Sequence, residues 1–354
     1  MAAGEDQLAP SHALTLPQDL HASITKALAT VTTAQWTREA QALSERYRAR
    51  RAADQPPLAT GRPQALGYAA LVMPATYAQL HGALAATAAR IPQWMPATLL
   101  DLGSGPGTAL WAAAARWSSL TTLTAWEREA AFIGLGRELA RGSVTPAIRD
   151  ARWERIDLRH LDAFHTQRYD LVVLGHVLNE LSAEMQRAVV AYAWERTAGV
   201  LLLIEPGTSA AFPIVRSARD LVVAAGGHTL APCVHDAPCP LVNDWCHFPQ
   251  RLIRPNFQRR ARGAPSEWED TKYAYAALAR FVPDAPLWSR VIREPTSNKV
   301  YAEVKVSSRT GIAHLRALKR DRESYRRMRR IAWGATLAES PAEPVLIIEH
   351  ERLP

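Results

Sequence analysis

An α/β fold with a doubly wound, mainly parallel sheet is predicted by three observations. The first is Leu99–Gly107 (LLDLGSGPG), a short apolar run followed by glycines at every second position. The second is the alternation of apolar runs with helical patterns from Thr98 to Ala225, the order that builds parallel strands with crossover helices. The third is a change of character after Gly227. It predicts a cysteine- and arginine-rich loop, then an extension of strands and a basic helix.

Taken in order, residues 1–15 are polar and Pro/Ala-rich and read as a flexible tail. Residues 16–95 read as a helical region. Asp19 or Ser23 is placed to cap its first helix, and Trp36, Ala40, Leu43 and Tyr47 give the next an apolar face. Gln55–Pro63 is a Pro/Gly linker, and Pro74 breaks or starts a helix within Leu66–Arg90, a helical lid ahead of the first strand. Residues 96–228 hold the predicted sheet. Its strands are Thr98–Leu102, Leu120–Trp126, Ala151–Ile156, Tyr169–Leu174 and Gly199–Ile204. Helices are expected at Thr108–Arg116, Ala130–Arg141, Ala183–Thr197 and Ala210–Ala225. Residues 229–265 show little periodicity. In residues 266–354, strands are expected at Lys272–Ala279, Leu287–Arg293, Lys299–Val306 and Val345–Glu349, with a very basic helix at His314–Arg330.

Composition narrows the class. Of the 354 residues, 48% are hydrophobic, ample for a core, and the net charge of +8 favours a polyanionic partner over an acidic small molecule. Three cysteines, all between Cys233 and Cys246, make a distributed disulfide framework a poor reading. The first ten residues carry neither a basic nor an apolar signal region, and no apolar run approaches a membrane span. A cytoplasmic protein that does not enter the membrane is expected.

The strand ends carry the cofactor reading. Gly103, Gly105 and Gly107 make G-x-G-x-G after Asp101, which resembles the first motif of S-adenosylmethionine (SAM) methyltransferases. A turn without side chains lets backbone N–H groups and a helix start approach a ligand. Glu127 ends strand two, where a carboxylate can accept both ribose hydroxyls. Asp157 follows strand three and is placed to face the adenine amino group. Asn179 and Glu180 follow strand four, where substrate meets the methyl group. NAD is the competing ligand, since an acidic strand-two end suits it too. Strand four ends without a Pro-Pro-aromatic clamp or a cysteine. His176, Asn179 and Glu180 are the local candidates, and no catalytic residue is assigned.

Cys233, Cys239 and Cys246 are spaced C-x5-C-x6-C among prolines, which suits a soft metal or an iron–sulfur cluster. Zinc with a histidine (His235 or His247) and three buried free thiols remain alternatives. Downstream, Arg251, Arg254, Arg259, Arg260 and Arg262 interleave with aromatic residues, a mixture suited to RNA phosphates and unstacked bases. Lys319, Arg326, Arg327 and Arg330 belong to a later one-sided basic run that points to nucleic acid.

From about Ala42 to Leu337 the chain resembles the bacterial relatives of the mitochondrial small-ribosomal-subunit methyltransferase-like assembly protein. The resemblance is carried by LSERYR (Leu43–Arg48), YAALVMPATYAQL (Tyr68–Leu80), the glycine motif, YDLVVLGHVLNEL (Tyr169–Leu181), LLLIEPGT (Leu201–Thr208) and EDTKYAYAAL (Glu269–Leu278). Its most specific stretch is APCVHDAPCPLVNDWCHFPQR (Ala231–Arg251). The resemblance implies a Rossmann-like SAM domain, association with small-subunit ribosomal RNA or the assembling subunit, and a [4Fe–4S] cluster on four cysteines. Cys233, Cys239 and Cys246 match the first three ligands. The fourth is expected on the strand Lys299–Val306, which has no cysteine and where Lys305 is the nearest counterpart. The reading is therefore a SAM-binding, RNA-binding assembly or translation protein. Its alternatives are an active rRNA methyltransferase and a small-molecule methyltransferase.

Overall fold

The computed structural model describes residues 13–48, 59–161, 166–241, 243–263, 266–283, 286–342 and 344–352. The predicted tail falls largely outside them, as do residues 55–58 of the Gln55–Pro63 linker. Four helices come first: α1 (Gln18–Leu28), α2 (Thr33–Arg48), α3 (Arg62–Leu71) and α4 (Met73–Ala88). Proline in the first turn of α3 and of α4 supplies a preset φ where no N–H is needed. Neither Asp19 nor Ser23 caps α1. Pro17 stands at that position, and the Asp19 carboxylate instead accepts from Ser143 Oγ (3.0 Å) and Val144 N (2.9 Å).

The strand–helix alternation follows: β1 (Thr98–Leu102), α5 (Thr108–Arg116), β2 (Thr122–Glu127), α6 (Ala130–Ala140), α7 (Pro146–Arg149), β3 (Arg152–Arg155), β4 (Tyr169–Gly175), α8 (Ala183–Glu195), β5 (Thr197–Pro206), α9 (Phe212–Ala224) and β6 (His228–Ala231). After a long loop come β7 (Phe248–Ile253), α10 (Asn256–Arg262) and β8 (Trp268–Ala279). The large sheet runs β3-β2-β1-β4-β5-β8-β6, with β7 also on β8. The first five strands are parallel, and β8 inserts antiparallel beside β5. The predicted Rossmann-like α/β class is the observed one. Order reverses between β1 and β4, so a crevice opens beyond their C-terminal ends.

The last segment folds β9 (Ser289–Val291), β10 (Thr296–Ser297), β11 (Tyr301–Ser308), β12 (Gly311–Leu318), α11 (Arg322–Arg330), β13 (Thr336–Leu337) and β14 (Leu346–Arg352). These strands form a second, antiparallel sheet with its own core around Val291, Val304, Val306, Leu315, Tyr325 and Met328.

Three expectations change. The basic helix is not His314–Arg330: Gly311–Leu318 is a strand, because Ile312, Ala313, Leu315 and Ala317 are buried while His314 and Arg316 meet Glu303 across the pair. Only Arg322–Arg330 is helical. Lys272–Ala279 does not belong to the extension; past the exposed Lys272 it is buried on both faces between β5 and β6. The cysteine–arginine stretch contains β7 and α10, held by pairing with β8 and by Gln258, which is fully buried and donates to Leu71 O.

Candidate functional site

A cleft of about 410 Å³ opens at the switch point, within the range that holds a nucleotide-sized ligand. The glycine turn forms its floor. Gly103 N and Ser104 N donate to Trp126 O, at 2.9 and 3.0 Å, which ties the turn to the end of β2. Gly103, Gly105 and Gly107 all adopt positive φ (73°, 54° and 84°), where side chains are strained. Only Gly103 and Gly105 face the cleft. A side chain at Gly107 would strike Trp153 instead, so that glycine serves packing.

Glu127 is buried at the end of β2. Its two oxygens accept from Gly105 N and Glu129 N, both at 2.8 Å. Burial raises its carboxyl to about 6, against the lowering effect of those N–H bonds. Each oxygen keeps a lone pair for a ribose hydroxyl. Asp101 does not line the cleft. It lies beneath the turn, pushed up to about 8 by burial and by Glu127, with Oδ2 unpartnered. Asp157 does line the cleft and is clamped by Arg159, with Nε–Oδ1 3.0 Å and Nη2–Oδ2 2.5 Å, which holds it near 2. Asn179 donates to the buried Glu205, as does Leu178 N at 2.8 Å. Burial raises Glu205 to about 8.

His176 stands in the same cleft with positive φ (59°), unusual for a side-chain-bearing residue. Its Nε2 is buried without a hydrogen bond, and burial lowers the ring to about 4, so the imidazole is neutral. The sequence reading missed three contributors. Glu205 sits at the end of strand five in IEPG, a position that could have flagged it. Glu129 and Arg159 line the cleft through packing that no local motif announces, and Arg262, expected as an RNA contact, lines it too.

The three cysteines line a second, smaller cavity of about 40 Å³ between the two sheets. Burial raises Cys233 to about 11, Cys239 upward and Cys246 well upward, while the neighbouring arginines pull each thiol the other way. Among the described residues no three His, Cys, Asp or Glu side chains are grouped to hold a metal ion, and neither His235 nor His247 lines this cavity. A single tetrahedral zinc therefore does not fit. The three thiols that share this cavity are donors of the kind an iron–sulfur cluster uses, one short of the usual four.

The arginines divide into two groups. Arg251 pairs bidentately with Asp270 (2.8 Å twice) and lies 4.0 Å over Trp268. Arg254 pairs with Glu269 at 2.9 Å, both nearly buried; Arg262 reaches the same carboxylate at 3.5 Å and Arg259 reaches Glu267 at 4.0 Å. Of these five, Arg260 and Arg262 are exposed on α10. Lys319, Arg326, Arg327 and Arg330 are exposed on and beside α11. Among the described residues no helix is long and apolar enough to cross a membrane.

Residues 62–338 match the family model described as mitochondrial small ribosomal subunit Rsm22. The human "Ribosome assembly protein METTL17, mitochondrial" is 30% identical over 70% of this chain and 57% of its own length. The Schizosaccharomyces pombe "Rsm22-cox11 tandem protein 2, mitochondrial" is 22% identical over 77% of this chain and 43% of its own. The chain thus spans about half the length of these relatives. Among solved structures, magnesium protoporphyrin IX methyltransferase from Synechocystis with bound SAH is 11% identical with a TM-score of 0.39. That match covers 67% of this chain and 93% of the enzyme.

Proposed function

Because the chain belongs to the mitochondrial small ribosomal subunit Rsm22 family, we propose that it binds SAM and docks on small-subunit ribosomal RNA to assist subunit assembly or translation. The observation that carries the SAM half is Glu127, a buried carboxylate hydrogen-bonded to the glycine turn and facing the switch-point cleft. Gly105 offers open backbone, Asp157 is oriented at the third strand end, and Asn179 is fixed by Glu205. SAM supplies the activated methyl group when bound; the residues named here bind and orient it. The RNA half draws support from the exposed basic helix α11. The cytoplasm is the compartment proposed, although the named relatives are mitochondrial.

The third part of the proposal is an iron–sulfur cluster on Cys233, Cys239 and Cys246. Its support is the shared cavity and the cationic wall around it. Arg216, Arg219 and Arg290 line that cavity while donating to carbonyls of the cysteine loop, at Leu241, at His235 and Ala237, and at Pro232. When bound, the cluster would tie that loop to both sheets.

Calorimetric titration of SAM and gel-shift titration of small-subunit ribosomal RNA test the main reading. Glu127→Ala should abolish SAM binding and spare RNA binding. SAM affinity unchanged by that substitution would refute the cleft assignment. A second reading, active rRNA methylation, is favoured by the neutral, unpartnered His176 Nε2 beside Asn179 and Glu180. Labelled-methyl transfer to RNA, abolished by His176→Ala, separates it from a purely assisting role.

A further inference from the structure

The strand β11 decides how the cysteine cavity is completed. Side chains two apart on a strand share a face. Lys305 and Ser307 thus both face the cysteine loop, while Val304 and Val306 fill the small core. Lys305 is turned aside: its Nζ lies 3.7 Å from Asp244, and it does not line the cavity. Ser307 does line it, with Cys233, Cys239 and Cys246, and is 5% exposed.

Arg290 is the direct cross-strand partner of Ser307 in the β9–β11 pair, so both project from one face into one place. This arginine is 4% exposed. Its Nε and Nη1 donate to Pro232 O and Gly334 O, both at 2.7 Å, and its Nη2 is buried without a partner. Among the described residues no carboxylate pairs with it. A buried guanidinium with a free donor at a cavity wall calls for a negative occupant, since an unpaired buried charge is costly. Neutral thiols do not supply that charge; thiolates bound to iron and sulfide do.

We propose that Ser307 is the fourth donor to the cluster, its hydroxyl oxygen standing where a fourth thiolate would, with Arg290 as the counter-charge. The inference rests on the cluster reading above. Three irons would carry sulfur ligands and one an oxygen ligand, which makes that iron the exchangeable one. The oxygen donor loses its proton to solvent on binding, as each thiol does.

The test uses the full chain, purified anaerobically and reconstituted with ferrous iron and sulfide. Unaltered protein, Ser307→Cys and Ser307→Ala are compared by iron and sulfide content, electron paramagnetic resonance and the rate of iron loss to a chelator. Ser307→Cys should lose iron about tenfold more slowly. Ser307→Ala should lose it about tenfold faster, and its oxidised form should give the signal of a three-iron species. Far-ultraviolet circular dichroism checks that the alanine variant folds. Where it does not, the cysteine variant decides, and an unchanged loss rate there overturns the assignment. A cluster present in all three proteins with identical spectra and loss rates places the fourth donor elsewhere. Absence of iron and sulfide from all three, or zinc in their place, overturns the cluster reading itself.

Discussion

Three carboxyl groups are held above their ordinary range by burial: Asp101 to about 8, Glu127 to about 6 and Glu205 to about 8. Each therefore keeps a proton in the folded chain over a pH range where the unfolded chain has lost it. Stability of the ligand-free protein must then fall as pH rises from about 4, up to about 6 for Glu127 and about 8 for Asp101 and Glu205, by at most about 1.4 kcal/mol per pH unit for each group. Glu205→Gln removes one of these slopes while keeping an acceptor for Leu178 N. The variant should gain on the unaltered protein steadily from pH 5 to pH 8 in thermal melts. A constant gap between the two would show that Glu205 does not titrate there. Glu127 gives the opposite sign for binding. Ribose hydroxyls are best accepted by the ionised carboxylate, so SAM affinity should fall about tenfold per unit as pH drops below about 6. Titration calorimetry from pH 5 to pH 8 reads this, and Glu127→Gln should bind weakly and without that slope. Sterics at Gly103 are equally direct, since a Cβ there would lie 2.2 Å from Val177 Cγ2 on top of a positive φ. Gly103→Ala should cost about 1–3 kcal/mol in denaturant melts.

The two basic elements carry charge of different kinds. Between β7 and α10, Arg254 forms a nearly buried pair with Glu269 of β8, and Gln258 of α10 donates to the same carboxylate at 2.9 Å. Arg254→Gln should therefore lower stability by about 1–3 kcal/mol and leave RNA affinity nearly unchanged. On α11, Tyr325 and Met328 hold the helix to the small sheet while the arginines face solvent. The double change Arg326→Gln and Arg327→Gln should leave the melting temperature alone, weaken RNA binding and flatten its salt dependence by one to two counterions, roughly 0.7–0.9 per lost phosphate contact. A salt slope identical to that of the unaltered chain would remove α11 from the RNA interface. This contrast shows where the sequence was legible. The glycine turn and strand ends are local chemistry, and each was readable from period and turn residues alone. The partners of Arg251 and Arg254 lie 19 and 15 positions away on β8, and only pairing of β7 with β8 brings them together. The part of β12 from His314 was read as helix because Arg316, Lys319 and Arg320 continue the basic run, which hid the period-two burial of Ala313, Leu315 and Ala317.

At the scale of the molecule, the large sheet and the small sheet have separate cores, and the cysteine loop lies between them. The loop is fastened from both sides. Arg219 on α9 holds its carbonyls at His235 and Ala237 from the large sheet's helical layer. From the small sheet, Arg290 holds Pro232 O, and Arg293 holds Trp245 O at 2.9 Å while pairing with Asp244. Lys305 against the same Asp244 continues this seam. Arg290 thus couples the two cores mechanically and sets the charge of the cavity between them. Arg290→Met should keep the volume but lose two charged hydrogen bonds, a cost of about 1.5–3 kcal/mol each. Because each sheet retains its own core, the expected result is a split: calorimetry should show the single melting transition separating into two, the lower belonging to the small sheet. Limited proteolysis should then cut first within residues 232–247. A single transition, merely lowered, would mean that the seam is continuous without Arg290 and that the two sheets melt as one body.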